Sequence, residues 1–195
     1  RRTRTRKANL SVAVRAGDLR FIDQPLICGH FIGDPIAAAE ADLDAMLGGR
    51  LSERERLGVY AGPIGSSSIV LSPRSAGQIA RGSRPGALIV GLGDFNGQLS
   101  ASQVTETVRA GVLRLLLLLR DTCAVDTNQP VELYSLLIGC NSTTHISIGD
   151  SVAAITCGVL EANRQFAQAL TPTLGDQLTV GSLIFIDLYR DVAIS

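Results

Sequence analysis

The chain has 195 residues, of which 46% are hydrophobic, 18% charged and 4% aromatic, with no tryptophan. That size and balance suit one globular domain with a core of Leu, Ile, Val and Ala, and they exclude a disordered polypeptide. Eighteen basic and eighteen acidic side chains cancel, but Arg1, Arg2, Arg4, Arg6 and Lys7 carry the basic excess, and the acidic remainder argues against a nucleic-acid-binding body.

Residues 1–8 read as a disordered basic leader and residues 9–195 as a single domain. The chain opens on Arg rather than Met, as an excised piece of a longer polypeptide would. Leu10, Val12 and Val14 alternate with polar or small residues, the period of a half-buried strand. Gly17 and Asp18 mark a turn, and Pro25 to His30 forms a second, more buried strand. Asp34 and Pro35 have the chemistry of a helix start: a capping carboxylate, then a residue that loses no needed donor. Ile36, Ala39, Leu43 and Leu47 follow on one helical face, and Gly48-Gly49 ends that helix.

Leu51 to Gly58 predicts a short charged helical turn, Gly62 to Gly65 a loop, and Ser68 to Leu71 a short strand. Pro73 to Pro85 is rich in Gly, Ser and Arg and is expected to be an exposed connection. Ala87 to Leu92 is a continuous apolar run, as in a central strand covered on both faces. Ser100 and Gln103 form a capping box that opens a long helix with the buried stripe Val104, Val108, Val112, Leu115 and Leu119. Gly111 within it implies close packing. Leu133 to Ile138 predicts another buried strand. Asp150 or Ser151 then caps a helix with the stripe Val152, Ile155, Val159 and Phe166, and Leu183 to Leu188 predicts the last strand. Strands alternating with amphipathic helices imply right-handed crossovers and a three-layer α/β/α fold with a mainly parallel sheet.

Two groups of short motifs carry a resemblance. The strand Ala87 to Leu92 with Gly91-Leu92-Gly93, a polar loop and Leu99-Ser100, together with the helix ending Leu47-Gly48-Gly49, resembles the macro-like N-terminal domain of leucyl aminopeptidases. Gly29-His30-Phe31-Ile32-Gly33-Asp34, Leu57 to Gly62 and Asp187 to Asp191 are closer to the macro-like domain found beside CHAT (caspase-like) protease domains in bacterial multidomain proteins. Both resemblances imply a non-catalytic accessory module, for protein interaction or ligand sensing, in a larger protease-like or effector protein. Its partner would be another protein or a neighbouring domain. The aminopeptidase metal-binding motifs have no match here.

Three loops leave the C-terminal ends of strands, where open α/β sheets hold ligands: Gly29 to Pro35, Gly91 to Ser100 and Gly139 to Asp150. Gly91-Leu92-Gly93 lacks the spacing and the Lys of a phosphate loop, and a structural turn is expected there. Asn141, Ser142, Thr143, Thr144 and His145 offer small donors before a helix, the makings of an anion site, although Asp150 opposes an anion. True macro domains wrap the ADP-ribose diphosphate in a loop at a comparable place, so the resemblance offers ADP-ribose or a nucleotide as an alternative ligand. A further alternative is a caspase-like cysteine hydrolase, with His30 and Cys140 at the ends of two apolar strands. Cys28, Cys123 and Cys157 read as packing residues, and Glu40, Asp42 and Asp44 as a solvated helix face. The cysteines form no CxxC pair, and only His30 and His145 could be imidazole ligands, so reduced thiols, a cytoplasmic location and no metal or cofactor are expected. The run Leu115 to Leu119 is far short of the ~20 residues of a membrane span.

Overall fold

A computed structural model describes residues 9–73, 83–122, 130–140, 146–169 and 178–187. In chain order the elements are β1 (Ser11–Ala16), a 3-10 turn (Leu19–Phe21), β2 (Pro25–Ile32), α1 (Ala39–Met46), α2 (Arg50–Arg56), β3 (Ser67–Leu71) and β4 (Gly86–Asp94). Then come α3 (Ala101–Thr122), β5 (Val131–Ser135), α4 (Ile148–Ala169) and β6 (Val180–Asp187). The strands form one sheet in the order β1-β6-β5-β2-β4-β3. Every pairing is parallel except that of β3 with β4.

Alternation along the central strands sorts the core into two layers. Ile27, Leu88, Val90, Leu133 and Leu183 face one side of the sheet, where the stripes of α3 and α4 cover them. Leu26, Cys28, Ala87, Ile89 and Ile184 face the other side, under Leu43, Leu47 and Leu51 of α1 and α2. The result is the expected α/β/α fold. Its α3 stripe is buried as the spacing predicts, and a Cβ on Gly111 would meet Val90 Cγ1 at 2.9 Å, which fixes α3 close to β4. The capping box also forms: the Ser100 amide donates to Gln103 Oε1 at 2.8 Å. Among the described residues no helix is long and apolar enough to cross a membrane.

Five expectations change in detail. The strand β1 is exposed along its length, with Val14 at 53%, because it lies at the sheet edge and no described helix packs on it. The first helix starts at Ala39, not at Asp34–Pro35, because Ala38 turns the chain with φ +48° and keeps the preceding loop out of the helix. The cap of α4 is Ser147, whose hydroxyl accepts from the Asp150 amide at 3.0 Å and donates to its carboxylate at 2.7 Å. Ser151 instead lies buried inside, bonded to both Ile138 N and O, and this holds the chain out of β5 beyond Ser135. Finally, Ser83 and Arg84 are buried rather than exposed, with the Arg84 amide on Asp23 O at 2.6 Å.

Candidate functional site

The connectivity determines where a ligand could sit. The connection from β2 enters the α1 layer, whereas those from β4 and β5, its two neighbours, enter the opposite layer of α3 and α4. Chains leaving adjacent strands toward opposite faces open a crevice at the carboxyl end of the strand between them, here β2. Gly33, Gly93 and Gly139 lie at or just past the ends of β2, β4 and β5, all with φ near +80°. Such left-handed residues orient successive amides into concave, anion-accepting arrangements. Close by is the start of α4, whose first-turn amides have no partner within the helix. Residues 141–145, the proposed anion loop with His145, lie outside the described residues.

A second feature adjoins the crevice on the α1 side. A cleft of about 510 Å³ opens between the loop after β2 and the segment that joins α2 to β3. Buried His30 reaches into it, with Asp34, Pro35, Glu55, Tyr60 and Pro63 among its other walls. His30 is 5% exposed, and its Nδ1 lies 2.9 Å from Glu40 Oε2. The Tyr60 hydroxyl donates to the other carboxylate oxygen, Oε1, at 3.1 Å. The rings of His30 and Tyr60 meet edge to face at 4.8 Å. Burial and the Glu40 carboxylate push the Tyr60 hydroxyl well above the usual phenol range, so it remains a donor. With Glu40 acting as an acceptor, Nδ1 donates in that hydrogen bond.

His30 and Cys140 are not brought together. Position 30 shares the α1 face of β2 with Cys28, while the Cys140 thiol bonds Ser151 of α4, across the sheet. Burial also raises the Cys140 pKa, against a weaker pull from Ser151, the reverse of what a nucleophilic thiolate needs. Cys28 is buried as expected, its thiol pushed up by burial and then by Glu40. Cys157 is exposed rather than packed, and Cys123 lies outside the described residues. Sequence reasoning placed Glu40 and Asp44 on a solvated face, yet both are buried; Asp42 alone of the three is exposed. The missed signal was helical spacing, because positions 40, 43, 44 and 47 share one face with the apolar stripe. Among the described residues no three His, Cys, Asp or Glu side chains come together as a metal site would require.

No protein-family model matches the sequence, and no curated protein is significantly similar to it. Solved structures are similar in shape. The macrodomain of Mycobacterium tuberculosis DarG superposes with a TM-score of 0.54 at 12% identity, over 89% of this chain and 96% of that one. A variant of the Oceanobacillus iheyensis macrodomain gives 0.53 at 13%, over 95% and 87%. A tomato leucine aminopeptidase variant gives 0.50 at 16%, over 96% of this chain but only 34% of the enzyme. At such identities the likeness is one of architecture, and the chain has the three-layer α/β/α fold of the macro-like kind.

Proposed function

We propose that this chain is a non-catalytic binding domain that takes ADP-ribose or a related nucleotide across the carboxyl ends of β2, β4 and β5. The observation that carries the reading is the sheet order: it opens a crevice at the end of β2 in a fold shared with macrodomains. The left-handed glycines at the three strand ends support it, since backbone amides would hold a diphosphate there without arginine or lysine. Asp150 is already engaged by Ser147, which softens its opposition to an anion. The separation of His30 from Cys140 counts against the cysteine-hydrolase alternative.

Calorimetric titration with ADP-ribose tests the reading. The expected result is saturable binding in the micromolar range, about 8 kcal/mol, lost on Gly149→Glu. That position is exposed, with no atom nearer than 3.9 Å to an added Cβ, so the substitution brings charge without disrupting packing. Silence at millimolar ADP-ribose rejects the proposal.

The aminopeptidase comparison favours a second reading. There this fold occupies about a third of a longer enzyme, which supports an accessory module that contacts a neighbouring domain, of the kind found beside CHAT proteases.

A further inference from the structure

The two edges of the sheet are finished differently. Strand β3 faces β4 through its even-numbered residues: Ser66 O accepts from the Gly91 amide, and the Ser72 amide donates to Pro85 O. The backbone of the odd-numbered residues therefore points outward, and arginines of α2 meet it. Arg50 Nη1 donates to Leu71 O at 2.9 Å and Arg54 Nη2 to Ile69 O at 3.4 Å. Charged side chains thus close that edge, a device that prevents sheets from pairing edge to edge. The edge at β1 has no such cover. All six of its residues are exposed, its register against β6 runs without a bulge, and it contains no proline, lysine or acidic residue. Its one charge, Arg15, is turned onto the α1 face, where Nη1 donates to the Tyr134 hydroxyl at 3.2 Å. Among the described residues nothing hydrogen-bonds to the outer edge of β1. Val12 and Val14, 44% and 53% exposed, project on the other face, beside Leu183 and Phe185 of β6.

We infer that β1 is the contact through which two copies of this chain associate, antiparallel about a two-fold axis at Ala13, joining their sheets edge to edge. With β3 closed, β1 is the open edge that each copy can offer the other among the described residues, and pairing like with like stops at a dimer. The side chains select the axis. Opposite residues of an antiparallel pair share a face, so Val12 of each copy meets Val14 of the other, and the four valines form one apolar strip. On the opposite face Ser11 meets Arg15, so no like charges oppose each other. Six residues a side are far fewer than the roughly 20–30 of a stable interface. The association is therefore weak, with half of the chain dimeric at a concentration on the order of 100 µM. Strands β6 and β5 lie between β1 and β2, so the contact leaves the strand-end crevice free and does not rest on the nucleotide reading.

Sedimentation velocity of the full chain, from micromolar to millimolar concentration, tests the inference. The wild type is expected to show a reversible monomer–dimer equilibrium. Val12→Lys combined with Val14→Lys sets lysines opposite lysines and should weaken association tenfold or more, and Val12→Asp combined with Val14→Asp should do the same. Both positions are exposed, and circular dichroism checks that each variant is folded. Mixed in equal amounts, the two variants set lysine opposite aspartate and should associate at least as tightly as the wild type, which a general loss of structure would not permit. The inference is overturned if the wild type stays monomeric at millimolar concentration, as it would if another polypeptide occupied the edge. It is overturned equally if the lysine variant associates like the wild type, or if the mixed variants do not pair.

Discussion

Asp44 shows how much one misread side chain can do. The residue that precedes helix α2 is Gly49, which has no side chain to cap it. Asp44, in the preceding helix, does that work: Oδ1 accepts from the Leu51 amide at 2.7 Å and the Ser52 amide at 3.2 Å, and the Ser52 hydroxyl donates to Oδ2. Burial pushes its pKa up, but the Ser52 hydroxyl and the two amides outweigh that and hold it below the usual carboxylate value. Asp44→Ala should therefore cost about 2 kcal/mol, the sum of a lost cap and two buried amides left short of a partner. The sign with pH follows from the depressed folded pKa. Asp44's contribution is fully present above the unfolded value of about 3.9 and is lost as pH falls through the folded one. Urea denaturation of wild type and Asp44→Asn should differ by a constant amount from pH 5 to 8, and the gap should close below about pH 4. A gap independent of pH would show that the carboxylate charge is not what caps α2. Helical spacing already placed positions 40 and 44 on the buried stripe; their charge led the reading to solvent, because a buried carboxylate becomes legible only once its donors are known.

At the scale of elements, strands and helices were legible wherever their period was clean: the apolar run of β4, the stripe of α3, and the glycines that stop α1. Ends were less legible, because the same chemistry serves two geometries. Asp34-Pro35 would begin a helix if the chain continued straight, but the turn at Ala38 makes it a cleft wall instead. The contact between α3 and α4 left only a faint trace, a glycine at position 158. A Cβ there would lie 2.9 Å from Thr105 O and from Val108 Cγ1, while the Thr105 hydroxyl donates across to Ala154 O at 3.1 Å. For Gly158→Ala two effects compete. Helix propensity gains about 1 kcal/mol, whereas overpacking costs roughly 1–3 kcal/mol. The obstructing atom is a backbone oxygen and cannot rotate away, so overpacking should win by on the order of 1 kcal/mol. Thermal unfolding should show Tm lower by about 2–4 °C. A Tm that rises would mean that α3 and α4 are not in this close contact.

For the molecule as a whole, the architecture was legible and the α1-side cleft was not. The three layers and the mainly parallel sheet follow from alternating strands and helices, whereas the strand order does not; the cleft draws His30 from β2, Glu55 from α2 and Tyr60 from the segment before β3, residues brought together only by tertiary folding. The thiols report on that folding. Cys28 lies mid-sheet at 7% exposure, with its pKa raised by burial and by Glu40, so it offers neither access nor thiolate. Iodoacetamide can reach it only when the structure opens, and for a domain stable by roughly 5–15 kcal/mol opening is rare enough to slow labelling by several orders of magnitude. Cys140 is half-buried with a raised pKa, and Cys157 is exposed on α4. In a Cys123→Ser background, mass spectrometry at pH 7.5 should give the order Cys157, then Cys140, then Cys28, collapsing to similar rates in denaturant. The order separates two views of this protein, because a hydrolase built on Cys140 requires that thiol to react first. Cys140 labelling ahead of Cys157, and slowed by His30→Gln, would restore the catalytic reading; Cys28 labelling readily in the native state would mean that the sheet is not packed as described.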